Sequence, residues 1–193
     1  MKFKELLNIY DRAKRIRKRL EIKDGEGTNW SYTFEDNETH KYVLNGVKPP
    51  EEIQDDIEST FVWLWSLKDY VKKYSVKNGK SQKWVEDKIN ADSNLCLCAD
   101  IANSLKHGGL NRKTRSEKNP KLGQVTYSFE KEALGSMVFH AFKVETNIKS
   151  PEKVDLKMDI LDSEGVKIGD AFKLLDYGIQ VWERLVDEAG ENA

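Results

Sequence analysis

Four short side chains recur at helical spacing in the middle of the chain. In the run from Cys96 to Gly109, Cys96, Asp100, Asn103 and His107 fall within about 60° of one another at 100° per residue. Cys98, Ile101, Ala102 and Leu105 form the opposite, apolar face. An imidazole titrates near neutral pH and can give or take a proton, an effect worth roughly 10²–10⁴-fold in rate. A carboxylate and an amide on the same face could orient it. The plainer alternative is the polar face of an amphipathic helix. Solvated helix faces, however, favour long Lys, Glu, Gln and Arg side chains. Short Asp, Asn, Ser and Cys suit a face against which another helix, a partner subunit or a ligand packs. His107 closes the helix, where the dipole favours its protonated form.

Other residues could support this stripe. Asp69 could meet His107 across two helices, either orienting the imidazole or satisfying a packed one. Segment 12–23 carries seven Lys/Arg and one Glu; segment 106–121 carries six and one. Within the second, Lys106 precedes His107 and Arg112, Lys113, Arg115, Lys118 and Lys121 follow it, which is what an RNA-binding surface requires. Segment 51–58 is the acidic counterpart, with five acids. No metal site is expected: His40, His107 and His140 are scattered, and Cys96 and Cys98 lack a second pair. No phosphate-binding Gly loop, nucleophile elbow or paired carboxylates occur at credible spacing, and no cofactor is implied.

The run Asn103-Ser104-Leu105-Lys106-His107 resembles the end of the HEPN signature, an Arg, often followed by Asn, then three residues and a His. Asn103 and His107 match; the Arg position is Ala102. The pattern Trp65-Ser66-Leu67-Lys68-Asp69-Tyr70 with Asp100 to His107 also resembles a group of uncharacterised bacterial proteins. The HEPN resemblance implies a helical domain of bacterial defence or toxin–antitoxin systems that binds RNA and in many cases cleaves it without a metal. It implies His107 as acid or base at a ribose 2′-hydroxyl, with Asn103 and Asp100 orienting. Lys106, Arg112 or Arg115 would then supply the phosphate charge that the absent Arg does not. The rival function is a non-enzymatic structural or protein-interaction module. A homodimer or partner protein fits either reading.

Elements must hold these residues. Phe3, Leu6, Leu7, Tyr10, Ala13 and Leu20 predict a helix over about 2–21. Residues 22–48 read as irregular or weakly hairpin-like, with Trp30, Tyr32 and Phe34 alternating, Tyr42, Val43 and Leu44 able to pair with them across a polar turn, and His40 in a polar loop. Pro50 opens a helix over about 51–75 that is apolar on both sides in its middle, as a central helix is. A short helix is expected near 83–90. Asp92 and Gly108-Gly109 bracket a helix over 93–107. Residues 108–123 read as a basic loop. Period-two alternation at 125–129, 138–144 and 154–160 predicts a small antiparallel sheet, with His140 partly buried in it. Ala171, Leu175, Gly178, Trp182 and Leu185 stripe a last helix over 170–188.

The chain has 193 residues, 32 Lys/Arg, 33 Asp/Glu and 38% hydrophobic residues. That length suits one domain and that composition a packed core. The expectation is a single domain of residues 1–193, α+β but mainly α. It has four to five helices and a small sheet inserted before the C-terminal helix. The longest apolar run, Phe61 to Trp65, is far too short to cross a membrane. Cys96 and Cys98 point to different faces and read as reduced thiols in a cytoplasmic protein.

Overall fold

The structure is a computed structural model that describes residues 2–109 and 113–190. Five α-helices lie along it: α1 (Phe3–Lys18), α2 (Pro50–Lys77), α3 (Trp84–Asn90), α4 (Ser93–His107) and α5 (Ala171–Gly190). Seven strands lie between them: β1 (Thr28–Thr33), β2 (Thr39–Asn45), β3 (Lys121–Phe129), β4 (Leu134–His140), β5 (Lys143–Ile148), β6 (Val154–Leu161) and β7 (Lys167–Asp170). They form a four-stranded sheet, β1-β2-β5-β4, and a three-stranded sheet, β3-β6-β7.

This corrects the expectation of a mainly helical bundle with one small antiparallel insert. The hairpin weakly read at 22–48 is a full one over 28–45, with Trp30 opposite Tyr42 and Tyr32 opposite His40. The hairpin continues into the late strands, because β2 pairs with β5 in parallel, Tyr42 opposite Val144. A parallel pair needs a long crossover. Here the crossover contains α2, α3 and α4, so no local pattern announces the pairing. His40 accordingly sits in β2, half-buried, and His140 is exposed at the end of β4.

The chain divides into two compact units. The first comprises residues 1–18, 56–124 and 158–193. Its core holds Leu6, Phe61, Leu64, Leu67, Val71, Ile101, Leu175 and Trp182. α4 starts where Asp92 accepts hydrogen bonds from the N–H groups of Asn94 (2.9 Å) and Leu95 (3.0 Å). It stops at Gly108, whose φ of +66° is the left-handed cap. Gly178 lets α5 approach closely: a Cβ there would lie 3.2 Å from Leu64 Cδ1 and 3.6 Å from Cys98 Sγ. Arg17 joins α1 to α5 through a bidentate pair with Asp176 at 2.8 and 3.0 Å.

The second unit comprises residues 19–55 and 125–157. Leu44, Val47, Ala133, Ile148 and Val154 form its core, with Tyr127, Phe129, Leu134 and Leu156 against it. The Tyr127 hydroxyl donates to the Lys48 carbonyl at 2.6 Å. Only one end of the four-stranded sheet reaches this core. Towards the other end, Trp30, Tyr32, Phe34, Met137, Phe139 and Phe142 remain exposed. The register puts Trp30, Tyr32, Tyr42, His40, Val144, Met137 and Phe139 on one face. The other face is polar: Asn45 donates to Glu145 and Asn147, and Asn147 to Ser136.

Candidate functional site

The polar stripe of α4 is sunk into the protein for most of its length. Asp100 is 2% exposed, although it lies on the face opposite the apolar stripe. What packs there is the chain's own basic loop. Asp100 Oδ1 accepts from the Arg115 backbone N–H at 3.0 Å. Asp100 Oδ2 accepts from both the N–H and the hydroxyl of Ser116, each at 2.7 Å. One buried carboxylate therefore pins the loop that follows α4, and its hydrogen-bonding capacity goes into structure.

Arg115 is held at its other end. Its guanidinium donates to Asn90 Oδ1 at 2.7 Å, pairs with Glu86 Oε2 at 2.9 Å and lies 5.2 Å from the Trp65 ring centre. Lys68 pairs with Glu86 Oε1 at 3.4 Å and lies 4.6 Å from the same ring. Burial works against the charged form of Glu86, but the bonds and charges of Arg115 and Lys68 prevail and hold its carboxyl below its ordinary range. Arg115 is thus a bridge between α3, Trp65 and the loop. No pattern in the sequence joined Glu86, Asn90 and Ser116 to the site; their partners lie well away along the chain.

His107 is exposed at the last position of α4. Among the described residues it meets no hydrogen-bond partner or ion-pair partner. Asp69 is turned to solvent beside Lys68, at 3.8 Å, and not towards His107. Asn103 is half-buried one turn before His107. Ala102, at the position of the HEPN arginine, is fully buried in the core, so that position faces inward here. Lys106 is exposed and donates to the Ser66 hydroxyl at 3.2 Å. Lys113 and Lys118 are exposed along the pinned loop, Lys121 is exposed at the start of β3, and Arg112 lies outside the described residues.

Comparison of the chain with known protein families, curated proteins and solved structures gave no match.

Both cysteines are free and buried. Cys96 donates to the Ile89 carbonyl at 3.4 Å. Burial pushes both thiols up; at Cys96 the Arg115 charge opposes it only in part. A raised thiol stays protonated and a poor nucleophile. We therefore expect neither cysteine to react with an aromatic disulfide reagent at pH 8 until the protein is unfolded in guanidinium. A prompt equivalent of released thiolate from the native protein would contradict the burial. Among the described residues no cluster of three or more His, Cys, Asp or Glu could hold a metal ion. No helix among them is long and apolar enough to cross a membrane.

Proposed function

We propose that the first unit binds RNA through the C-terminal end of α4 and the basic loop that follows it, and that it does so without a catalytic centre assembled in one chain. The observation that carries this reading is the Asp100 clamp. It fixes a loop that bears Lys113 and Lys118 and leads to Lys121 at the start of β3 to the helix that ends in Lys106 and His107. Ordering a cationic loop before binding removes part of its entropic cost. The charge balance supports the reading too. The first unit carries 23 Lys/Arg against 19 Asp/Glu, a net +4. The second carries nine against 14, a net −5, and together they give the chain's −1.

Catalysis has less support. Among the described residues no carboxylate pairs with His107, Arg115 is engaged by Glu86, and Asp100 is engaged by the loop. The phosphate-binding groups of the proposed site are Lys106, Lys113, Lys118 and Lys121, with His107 as a neighbouring donor; the Lys113 pair with Glu117, at 3.1 Å, is solvent-exposed and exchangeable for a phosphate.

The test is fluorescence anisotropy with a labelled mixed-sequence single-stranded RNA over a range of salt. Removing one phosphate-binding lysine should flatten the plot of log affinity against log salt by about 0.7. The combined variant Lys106→Ala, Lys113→Ala, Lys118→Ala should flatten it by about 2 and weaken binding at low salt by more than about tenfold. An unchanged slope in a folded variant removes the reading. RNA cleavage that disappears in His107→Ala, with the fold intact, would overturn the non-catalytic part alone.

A further inference from the structure

The second unit holds a surface that the RNA reading does not use. Along β1 and β2 the rings of one sheet face make two groups of contacts. Trp30 stacks on Tyr42 at 5.4 Å, Tyr32 meets Phe34 edge-on at 4.8 Å, and Phe34 meets His40 at 5.0 Å. His40 in turn meets Phe142 at 5.7 Å. Trp30 and Tyr32 are 50% and 59% exposed. A lone exposed ring is ordinary; a contiguous aromatic face is a binding surface.

Two further features indicate what it binds. The first is charge. The turn between β1 and β2 carries Glu35, Asp36 and Glu38, all exposed. Among the described residues, the Glu35 and Asp36 carboxylates pair with no lysine or arginine, Asp36 accepting the Glu38 backbone N–H at 3.0 Å, and the Glu38 carboxylate pairs with His40 at 3.5 Å. Lys41 and Lys143 belong to the polar face by their register. The aromatic face therefore presents ring quadrupoles beside carboxylates, both of which attract cations. The second feature is the edge. β1 ends the sheet, so one side of its backbone is unpaired. Edge strands are usually protected by charges, yet Thr28–Thr33 reads TNWSYT and has none, in a chain that is 34% charged.

We propose that this face receives an extended, lysine- or arginine-bearing segment of a partner protein, added as a strand along the free edge of β1. Backbone hydrogen bonds would come from β1, and alternate side chains of the added strand would lie beside Trp30 and Tyr32. Its cations reach the ring faces and the Glu35–Glu38 turn. β4 also ends the sheet and carries no lysine, arginine or acid. The carboxylates adjoin β1, and they select that edge.

The probe is a short labelled peptide of alternating lysine and threonine, with a glutamate–threonine peptide as control. Anisotropy reads affinity, and amide NMR shifts of the full chain read location. The lysine peptide should bind at least about tenfold more tightly than the control. Its shifts should fall in residues 28–40. Glu35→Lys with Glu38→Lys should weaken it by about tenfold, and so should Trp30→Ser, whereas Phe139→Ser on the far edge should not. All four positions are exposed, and circular dichroism confirms that the variants fold. Equal binding of both peptides, or full binding to the charge-reversed variant, overturns the proposal. So does a sedimentation result in which the chain is a dimer that Phe139→Ser dissociates and that excludes the peptide. Shifts of residues 28–40 with RNA in place of the peptide would overturn it as well, whereas failure of the lysine triple variant to lose RNA binding would not bear on it.

Discussion

Asp100→Ala should lower stability by about 3 kcal/mol, the largest effect expected of any polar substitution in the first unit. The substitution removes the acceptor of three hydrogen bonds and strands the N–H groups of Arg115 and Ser116. Hydrogen bonds to a charged group contribute about 1.5–3 kcal/mol each, and they share one carboxylate, so their sum is not additive. The expected fall in Tm is about 10 °C for a chain of this size. Asp100→Asn keeps one acceptor oxygen and should lose roughly half as much. Urea denaturation of the two variants beside Ser116→Ala separates the contributions. A loss below about 1 kcal/mol for Asp100→Ala would mean that the loop is not held through this carboxylate. The same variant should also weaken RNA binding without removing a positive charge, because the loop would have to be ordered on binding.

Gly27→Ala should be at least as damaging, for a different reason. Gly27 has φ of +88°, and a Cβ there would lie 2.1 Å from the Leu44 carbonyl oxygen and 2.9 Å from Asn45 Cα. Its N–H donates to the Val47 carbonyl at 2.7 Å, so the residue ties the start of β1 to the end of β2. The left-handed conformation alone costs a non-glycine residue about 1 kcal/mol. The clash with backbone cannot be relieved by a rotamer change and should bring the total to about 4 kcal/mol. Gly165→Ala is the matched control: φ is +81°, and nothing lies within 4 Å of its Cβ position. It should cost only about 1 kcal/mol. Similar losses for the two variants would show that conformation rather than steric overlap governs Gly27.

Local signals in the sequence reported local structure well. Asp92 and Gly108 bracket α4 at the residues where a cap and a stop are expected. The alternation of Val154, Met158 and Ile160 marks the buried side of β6. The shortness of Asp100 and Cys96 correctly implied that something packs on their side of the helix. It could not say what, because the packing partner is a later loop with no periodicity. The hairpin at 28–45 was half-legible for a related reason. Its rings alternate cleanly with Asn29, Ser31 and Thr33, but the run is short and its partner strand, Thr39–Asn45, breaks the alternation at Tyr42-Val43-Leu44. The pairing of β2 with β5 and the pairing of Arg115 with Glu86 left no trace in their neighbourhoods. Both are set by tertiary structure.

The parallel register of Tyr42 with Val144 also constrains synthesis on the ribosome. β1 and β2 leave the exit tunnel long before β5 exists, since three helices and two strands are made in between. At about 5–20 residues per second, the hairpin waits for several seconds without its inner neighbour. Throughout that interval both edges of the ribbon are open, including the β2 edge that β5 later occupies. A two-stranded ribbon alone is marginal in water. The nascent chain should therefore recruit hydrophobic-segment chaperones early, and its rate-limiting step should be the late docking of β5 between β2 and β4.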